Sequence, residues 1–183
     1  YYDDSSEALR PHSDCRSHLQ EEYIMFRKMR RAEKKAIPNE ETIRLLQESK
    51  RGVLAVAGDD DYPYAVPVNY YYDAAAGKIY FHSSLAGHKV DAMKRNPKIC
   101  FTVYGEPEIK DLDWAPYVKS VVVFGKAQPV ADPEKKRAVL KTFAMKYYPN
   151  EAEADEEIEL DFQAVQMIEI TIEHMTGQEI QEK

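Results

Sequence analysis

Residues 80–97, which read YFHSSLAGHKVDAMKRNP, are the most informative stretch of the sequence about the fold. The pattern predicts a strand that ends in HSS at 82–84, a loop of small residues, and a short helix over 89–95 that stops before the proline. Backbone N–H groups at a helix start, hydroxyl groups and a lysine together bind anions well. The stretch therefore predicts a phosphate site; the alternative is that Ser84 only caps the helix and Lys89 is solvated.

On both sides of this stretch, strands follow one another without a ten-residue helix between the early ones. We therefore expect a mainly β protein of the α+β class, a six-stranded antiparallel barrel with flanking helices, rather than a parallel doubly wound sheet. The predicted strands cover 52–58, 64–73, 78–82, 98–104, 117–130 and 161–173, and the predicted helices cover 39–52, 89–95 and 133–148.

Several residues indicate where these elements begin and end. Asn39 is a predicted helix N-cap, and Asp132 followed by a proline is a strong helix start. Gly52 is expected to end the first helix and Gly177 to break the last strand. Residues 149–160 are predicted to be an acidic linker.

The chain has 183 residues, of which 44% are hydrophobic, which predicts one domain with a substantial core. The formal net charge of −7 is uneven: residues 1–24 carry −4, residues 25–150 carry +7 and residues 151–183 carry −10. The overall sign argues against non-specific nucleic-acid binding, so no nucleic acid is expected as a partner. A local anion site in the basic middle remains compatible with this distribution.

Cysteine content and hydropathy indicate the compartment. Cys15 and Cys100 cannot form a disulfide framework, and Cys100 is expected to be a small buried hydrophobe. The sequence offers no apolar run of about 20 residues and no N-terminal signal core, so we expect a cytoplasmic protein without membrane contact. Because the chain begins at Tyr1, we expect the natural start to lie elsewhere, either before it or at Met25 or Met29.

A second informative stretch reads VPVN at residues 66–69. An apolar strand with a proline and one asparagine can present its backbone and an amide to a flat ring, although an ordinary edge strand has the same pattern. Motifs for serine hydrolases, dinucleotide folds and P-loops do not occur. His82 and His88 are six residues apart across a loop, which does not suit a zinc site, so no metal is expected.

Together these stretches resemble the FMN-binding split-barrel proteins related to pyridoxamine 5'-phosphate oxidase, and most of all the nitroimidazole-resistance (Nim) branch. The lead at 29–37 has Glu33-Lys34 where Asp-Arg is common in that branch. The similar blocks are MRRAEKKAI at 29–37, PYAVPVNYYYD at 63–73, IYFHSSLAGHKVDAMKRNPKICFTV at 79–103, WAPYVKSVVVFGKAQPV at 114–130 and MTGQE at 175–179.

The resemblance implies a split β-barrel and a homodimer with FMN at the subunit interface. It places His82 near the reactive ring as the candidate catalytic residue, and Trp114 as a cover of the pocket. The implied cofactor-binding residues are Val66, Pro67, Val68 and Asn69 at the isoalloxazine, His82 and Ser83 at the ring and ribityl chain, Gly87, His88 and Lys89 at the phosphate, and, with lower priority, Tyr117, Lys119 and Ser120.

The implied function is an FMN-dependent oxidoreductase that reduces a small organic acceptor, such as a nitroimidazole or another nitroaromatic, with a nicotinamide or another electron donor. One alternative is an enzyme of the pyridoxamine 5'-phosphate oxidase type, which needs a second basic pocket. The other is a flavin- or haem-binding protein without turnover. We expect a polar, weakly ordered extension at 1–28, the FMN-binding domain at 29–179 and a tail at 180–183.

Overall fold

The computed structural model describes residues 26–111 and 113–182. The extension expected to be weakly ordered, 1–28, lies outside the described residues except for its last three. The helices are α1 (Ala32–Lys35), α2 (Asn39–Glu48), α3 (His88–Arg95), α4 (Pro133–Met145) and α5 (Glu151–Asp161). The strands are β1 (Arg51–Ala57), β2 (Pro63–Asn69), β3 (Tyr71–Asp73), β4 (Lys78–Ser84), β5 (Lys98–Tyr104), β6 (Tyr117–Pro129) and β7 (Val165–Gln181).

All seven strands join one antiparallel sheet in the order β2-β1-β5-β6-β7-β4-β3. The two outermost strands, β2 and β3, follow each other in the chain and are separated only by Tyr70. Because one bent segment forms both edges, the sheet must curl round on itself. The predicted mainly β, antiparallel split barrel with flanking helices is confirmed, with seven strands instead of six because the strand predicted at 64–73 is interrupted.

Several hydrogen bonds fix the chain at Tyr70, where the predicted strand is interrupted. Tyr70 is fully buried, and its hydroxyl donates to the Leu46 carbonyl over 2.7 Å. The Tyr147 hydroxyl accepts from the Tyr70 N–H at 2.8 Å and lies 2.7 Å and 2.5 Å from the carbonyl oxygens of Tyr70 and Lys50. These contacts replace ladder hydrogen bonds at the bend, so we call Tyr70 with the Tyr147 hydroxyl the barrel seam.

Two apolar clusters hold the fold together. The larger fills the barrel and is covered by α2 through Leu46. The smaller lies outside the barrel, where Leu140 and Phe143 of α4 and Ile158 of α5 pack against Tyr80 of β4. The smaller cluster therefore fixes α4 and α5 beside the end of β4.

Four boundary predictions are wrong for identifiable reasons. Helix α2 ends at Glu48, and Gly52 lies inside β1, where the Phe101 ring would meet any added Cβ at 2.3 Å. Asn39 is the first helical residue and does not cap. Strand β7 begins at Val165 and continues through Gly177, where a Cβ would meet Thr42 Oγ1 at 2.1 Å, so this glycine allows close packing of α2.

The fourth error concerns the acidic segment at 149–160, which is helix α5 and not a linker. Asn150 caps it: its side-chain oxygen accepts from the Glu153 N–H at 3.0 Å, and its amide donates to the Glu153 carboxylate at 2.8 Å. The predicted Asp132 cap of α4 is confirmed by its 3.0 Å bond from the Glu134 N–H. Cys100 is only half-buried.

Candidate functional site

The junction between β4 and α3 combines a buried hydroxyl with an open helix start. Ser83 is 3% exposed, and its Oγ has no hydrogen-bond partner among the described residues. Four residues later, Gly87 has φ 125°, a conformation that L side chains rarely adopt, and space is open where its Cβ would be. The first N–H groups of α3 have no partners within the helix. This geometry suits an anionic group with several hydrogen-bond acceptors, such as a phosphate ester.

The alternative that Ser84 only caps α3 does not fit the structure. The Ser84 hydroxyl donates to the Ala86 carbonyl over 2.8 Å, and no side chain caps the helix. Ser84 therefore stabilises the loop, and the N–H groups at the start of α3 remain available to other hydrogen-bond acceptors. Lys89 is half-buried in the first turn.

His82 lies on the outer face of β4, opposite to the face on which Ser83 lies. Its ring contacts Phe143 of α4 edge to face, with 5.1 Å between ring centroids. Burial of part of the ring, followed by the charge of Lys89, lowers the pKa of His82 below 6.5. This shift favours the neutral form of His82, which can accept a hydrogen bond.

A cleft of about 200 Å³ opens beside His82, between β4, α4 and α5. Its walls are mostly apolar and aromatic, and Glu157 and Asp161 of α5 are its acidic residues. The residues that line the cleft are Asn69, His82, Leu140, Phe143, Ala144, Tyr147, Tyr148, Ala154, Glu157, Ile158, Asp161 and Val165.

Strand β2 presents its residues to two sides. Val66 and Val68 pack against the core, so only their backbone groups can face a ligand. Pro67 is exposed on this edge strand, as its missing N–H predicts. Asn69 lines the same cleft as His82. The structure thus brings the end of the VPVN stretch to His82.

The His88 side chain is directed away from the junction. Its ring stacks on Tyr64 with 3.9 Å between centroids, and its Nε2 lies 3.5 Å from Asp59. Of the three residues implied at the phosphate, Lys89 is available with its side chain and its backbone N–H. Gly87 and His88 are available only with their backbone N–H groups.

Tyr117, Lys119 and Ser120 lie at the far end of the β6–β7 ladder. Lys119 is opposite Glu179 on β7, whereas His82 is opposite Met167. These two β7 positions are twelve residues apart, roughly 40 Å at about 3.3 Å per residue if the strand were straight. One copy of the chain does not bring this group to His82. Trp114, 78% exposed, is in the loop before β6.

Lys119 is also surrounded by carboxylates, which the sequence did not indicate. Its Nζ lies 2.6 Å from Glu41, 3.8 Å from Glu179 and 3.9 Å from Glu108. The hydrogen bond with Glu41 and the nearby charges raise the pKa of Lys119. Tyr117 donates to Asp113 over 2.7 Å.

A polar cluster at the start of β4 was missed by sequence reasoning. Glu169 of β7 is 2% exposed and accepts from Lys78 at 2.5 Å, from Lys135 at 2.6 Å and from the Tyr80 hydroxyl at 3.0 Å. Burial alone raises the pKa of Glu169, but these hydrogen bonds outweigh it and lower the pKa to about 2. No local sequence signal links these four residues, since they come from three separate elements.

No group of three or more His, Cys, Asp or Glu side chains within 26–111 and 113–182 is arranged to hold a metal ion. Each helix in this part of the chain is too short or too polar to cross a bilayer.

The two edges of the antiparallel sheet are joined by one bent segment, and the end of β4 meets α3 at a junction that suits an anion. This fold is that of the split-barrel proteins. Residues 38–179 match the family model described as pyridoxamine 5'-phosphate oxidase. The chain therefore belongs to this flavin-binding family. None of the curated proteins compared with the chain matches it.

Solved structures share the fold at low sequence identity. A candidate 5-nitroimidazole antibiotic resistance protein from Bacteroides thetaiotaomicron is 18% identical, with a TM-score of 0.66, 80% of this chain covered and 87% of that chain. A conserved hypothetical protein from Mycobacterium tuberculosis is 19% identical, with a TM-score of 0.68 and coverages of 83% and 89%. An FAD-binding protein from Mesorhizobium loti is 24% identical, with a TM-score of 0.55 and coverages of 79% and 96%.

Proposed function

We propose that this protein binds FMN at the β4–α3 junction and acts as an oxidoreductase on a small organic acceptor. The observation that carries the proposal is the buried Ser83 hydroxyl without a partner beside the uncapped start of α3. A buried polar group left unpaired costs about 1–3 kcal/mol, and a ligand oxygen at this position removes that cost.

In this proposal the chain's residues divide the binding work. The α3 N–H groups and Lys89 hold the phosphate, and Ser83 donates to it or to the ribityl chain. The backbone of 66–69 and the Asn69 amide face the ring. Bound FMN supplies hydride or electron transfer, which the protein side chains cannot perform themselves.

His82 is the proposed catalytic residue because it lines the cleft next to the ring position. Its lowered pKa favours the neutral imidazole, which accepts a hydrogen bond from an N–H or O–H of flavin or acceptor. We propose a nitroaromatic as the first acceptor to examine, with a reduced nicotinamide as the electron donor, on the basis of the sequence resemblance to the Nim branch.

We also propose a homodimer with one FMN at each side of the subunit interface. Tyr117, Lys119 and Ser120 lie far from His82 within one copy, so a second copy is the simplest means to bring them to the flavin. Sedimentation of the purified protein at micromolar concentration measures the assembly state; a monomer that still binds FMN would contradict the dimer.

The test of FMN binding uses Lys89→Ala, with Lys94→Ala on the same helix as the matched control. We expect FMN affinity to fall by about tenfold to a hundredfold in the first variant, because a charge-assisted bond contributes about 1.5–3 kcal/mol. Quenching of FMN fluorescence on titration measures both affinities. Lys94 is exposed in the last turn, and its removal should leave the affinity unchanged.

Four outcomes distinguish the possible functions and the position of the phosphate. A wild-type protein without FMN affinity would overturn any flavin function, and equal affinities of Lys89→Ala and wild type would move the phosphate elsewhere. FMN binding without turnover of nitroaromatics and reduced nicotinamide would favour a non-catalytic flavin-binding protein. Turnover confirms the oxidoreductase.

A further inference from the structure

The cleft between β4, α4 and α5 has an asymmetric distribution of charge that indicates what it binds. From the geometry of this cleft we infer that it is the acceptor site and that it selects a single-ring aromatic molecule with a positively charged group over an anionic one. This inference rests on the proposed function, since it names the substrate class of the same site.

The size and walls of the cleft suit one aromatic ring. Its volume of about 200 Å³ exceeds the roughly 150 Å³ of an engineered cavity that holds benzene, and lies below the roughly 300–1,000 Å³ of sites for drug-sized ligands. The rings of His82, Phe143 and Tyr147 form a continuous wall, with 5.1 Å and 5.0 Å between successive centroids. Aromatic faces also attract cations.

Helix α5 carries carboxylates on two sides, and only one side is neutralised by α4. Lys141 Nζ lies 2.5 Å from Asp155 and 3.1 Å from Glu151, and Arg137 pairs with Glu159. These three acidic residues are spaced by four, so they share one face of the helix.

The other acidic pair, Glu157 and Asp161, is also spaced by four and lines the cleft. Within the described residues, neither carboxylate has a cation at salt-bridge distance. The charges of both carboxylates also affect Tyr148. Burial, and after it the charges of Glu157 and Asp161, raise the pKa of the Tyr148 hydroxyl. The α5 end of the cleft is therefore negative, and a protonated amine or a cationic heterocycle supplies the missing charge.

A positive charge lies near the His82 side of the cleft, since Lys89, which does not line the cleft, contributes to the lowered pKa of His82. A phosphate bound at the junction offsets that charge. A ligand then fits with its ring beside His82 and its cationic group toward Glu157 and Asp161. The same carboxylates repel the phosphate of a pyridoxamine 5'-phosphate substrate, which disfavours that alternative activity.

The test compares two ring compounds that cannot be reduced, benzylammonium and benzoate, by calorimetric titration of the full chain with and without FMN. We expect benzylammonium to bind at least about tenfold more tightly than benzoate. In the Glu157→Gln, Asp161→Asn double variant the preference should fall by about tenfold, because two solvent-exposed charge contacts are lost.

The control is Glu156→Gln, which removes one carboxylate charge from the residue next to Glu157, outside the cleft lining. It should keep the wild-type preference, and circular dichroism checks that every variant is folded. Benzoate binding as tightly as benzylammonium, or a double variant with the wild-type preference, would overturn the inference. The FMN affinity of the same samples tests the proposed function separately, so the two failures are distinguishable.

Discussion

Strand β4 carries a polar cluster at each end, and the two clusters differ in how completely their groups are paired. At its start, Lys78 and Tyr80 bind the buried Glu169, whose two oxygens both accept hydrogen bonds. At its end, Ser83 has a buried hydroxyl without a partner among the described residues, and the start of α3 is uncapped.

This difference in hydrogen bonding distinguishes polar residues that stabilise the fold from polar residues that are available to a ligand. A buried charge is tolerated only when it is paired and hydrogen-bonded, as Glu169 is. An unpaired buried hydroxyl lowers stability, so its retention at the end of β4 fits a binding role. Variants at the first cluster should therefore change stability, and variants at the second should change ligand affinity.

The largest effect is expected from Glu169→Gln. The variant leaves Lys78 and Lys135 without their shared carboxylate, and we expect the free energy of unfolding to fall by about 2–4 kcal/mol. Urea denaturation followed by circular dichroism measures it. Glu173→Gln on the same strand removes only the exposed pair with Lys126 and should cost less than about 1 kcal/mol. Equal losses would contradict the contrast between buried and exposed pairs.

The contribution of Glu169 should also depend on pH. Its folded pKa of about 2 lies below the usual 4.5, so its stabilising effect is complete above about pH 4.5 and is lost as the pH falls toward 2. The stability difference between wild type and Glu169→Gln should be smaller at pH 3 than at pH 7. A difference that is constant over this range would show that charge is not the cause.

A smaller effect is expected from comparing Ser83→Ala with Tyr80→Phe, each of which removes one hydroxyl from β4. Ser83→Ala should lower FMN affinity by about twofold to tenfold and leave the free energy of unfolding unchanged or higher. Tyr80→Phe should lower the free energy of unfolding by about 1 kcal/mol and leave FMN affinity unchanged. FMN titration and urea denaturation of both variants measure these two quantities. A loss of FMN affinity in Tyr80→Phe, or a loss of stability in Ser83→Ala, would contradict the assignment.

The smallest effect concerns the titration of His82. Its NMR titration midpoint should lie below 6.5 in the wild type, and Lys89→Ala should raise it, because a nearby positive charge is removed while burial remains. An unchanged midpoint in Lys89→Ala would show that burial alone lowers the pKa.

The sequence predicted those parts of the molecule that depend on local signals. The strand, loop and helix of 80–97 form because apolar alternation, small residues and a terminal proline succeed one another within a few residues. Pro67 lies on an edge strand because it has no N–H to donate. The lack of a long helix between the early strands predicted the antiparallel barrel, and the resemblance then added the split-barrel type, which the structure and the family match confirm.

The remaining features depend on contacts between distant residues. Helix α5 was missed because only Ala154 and Ile158 of its eleven residues are buried, so it shows no apolar periodicity; its Asn150 and Glu153 capping pair was the available signal. The break at Tyr70 depends on Tyr147, 77 residues away. The cleft needs α4, α5 and β4 together, and no sequence window contains all three.

The barrel seam has a further consequence for the dynamics of the protein. Tyr147 both lines the cleft and closes the barrel at Tyr70, so cleft occupancy and opening of the seam share one side chain. A ligand that holds Tyr147 in place must also slow local opening at the bend. Hydrogen exchange of the Tyr70 amide therefore reports on whether the cleft is filled, at a position that the ligand itself does not need to touch.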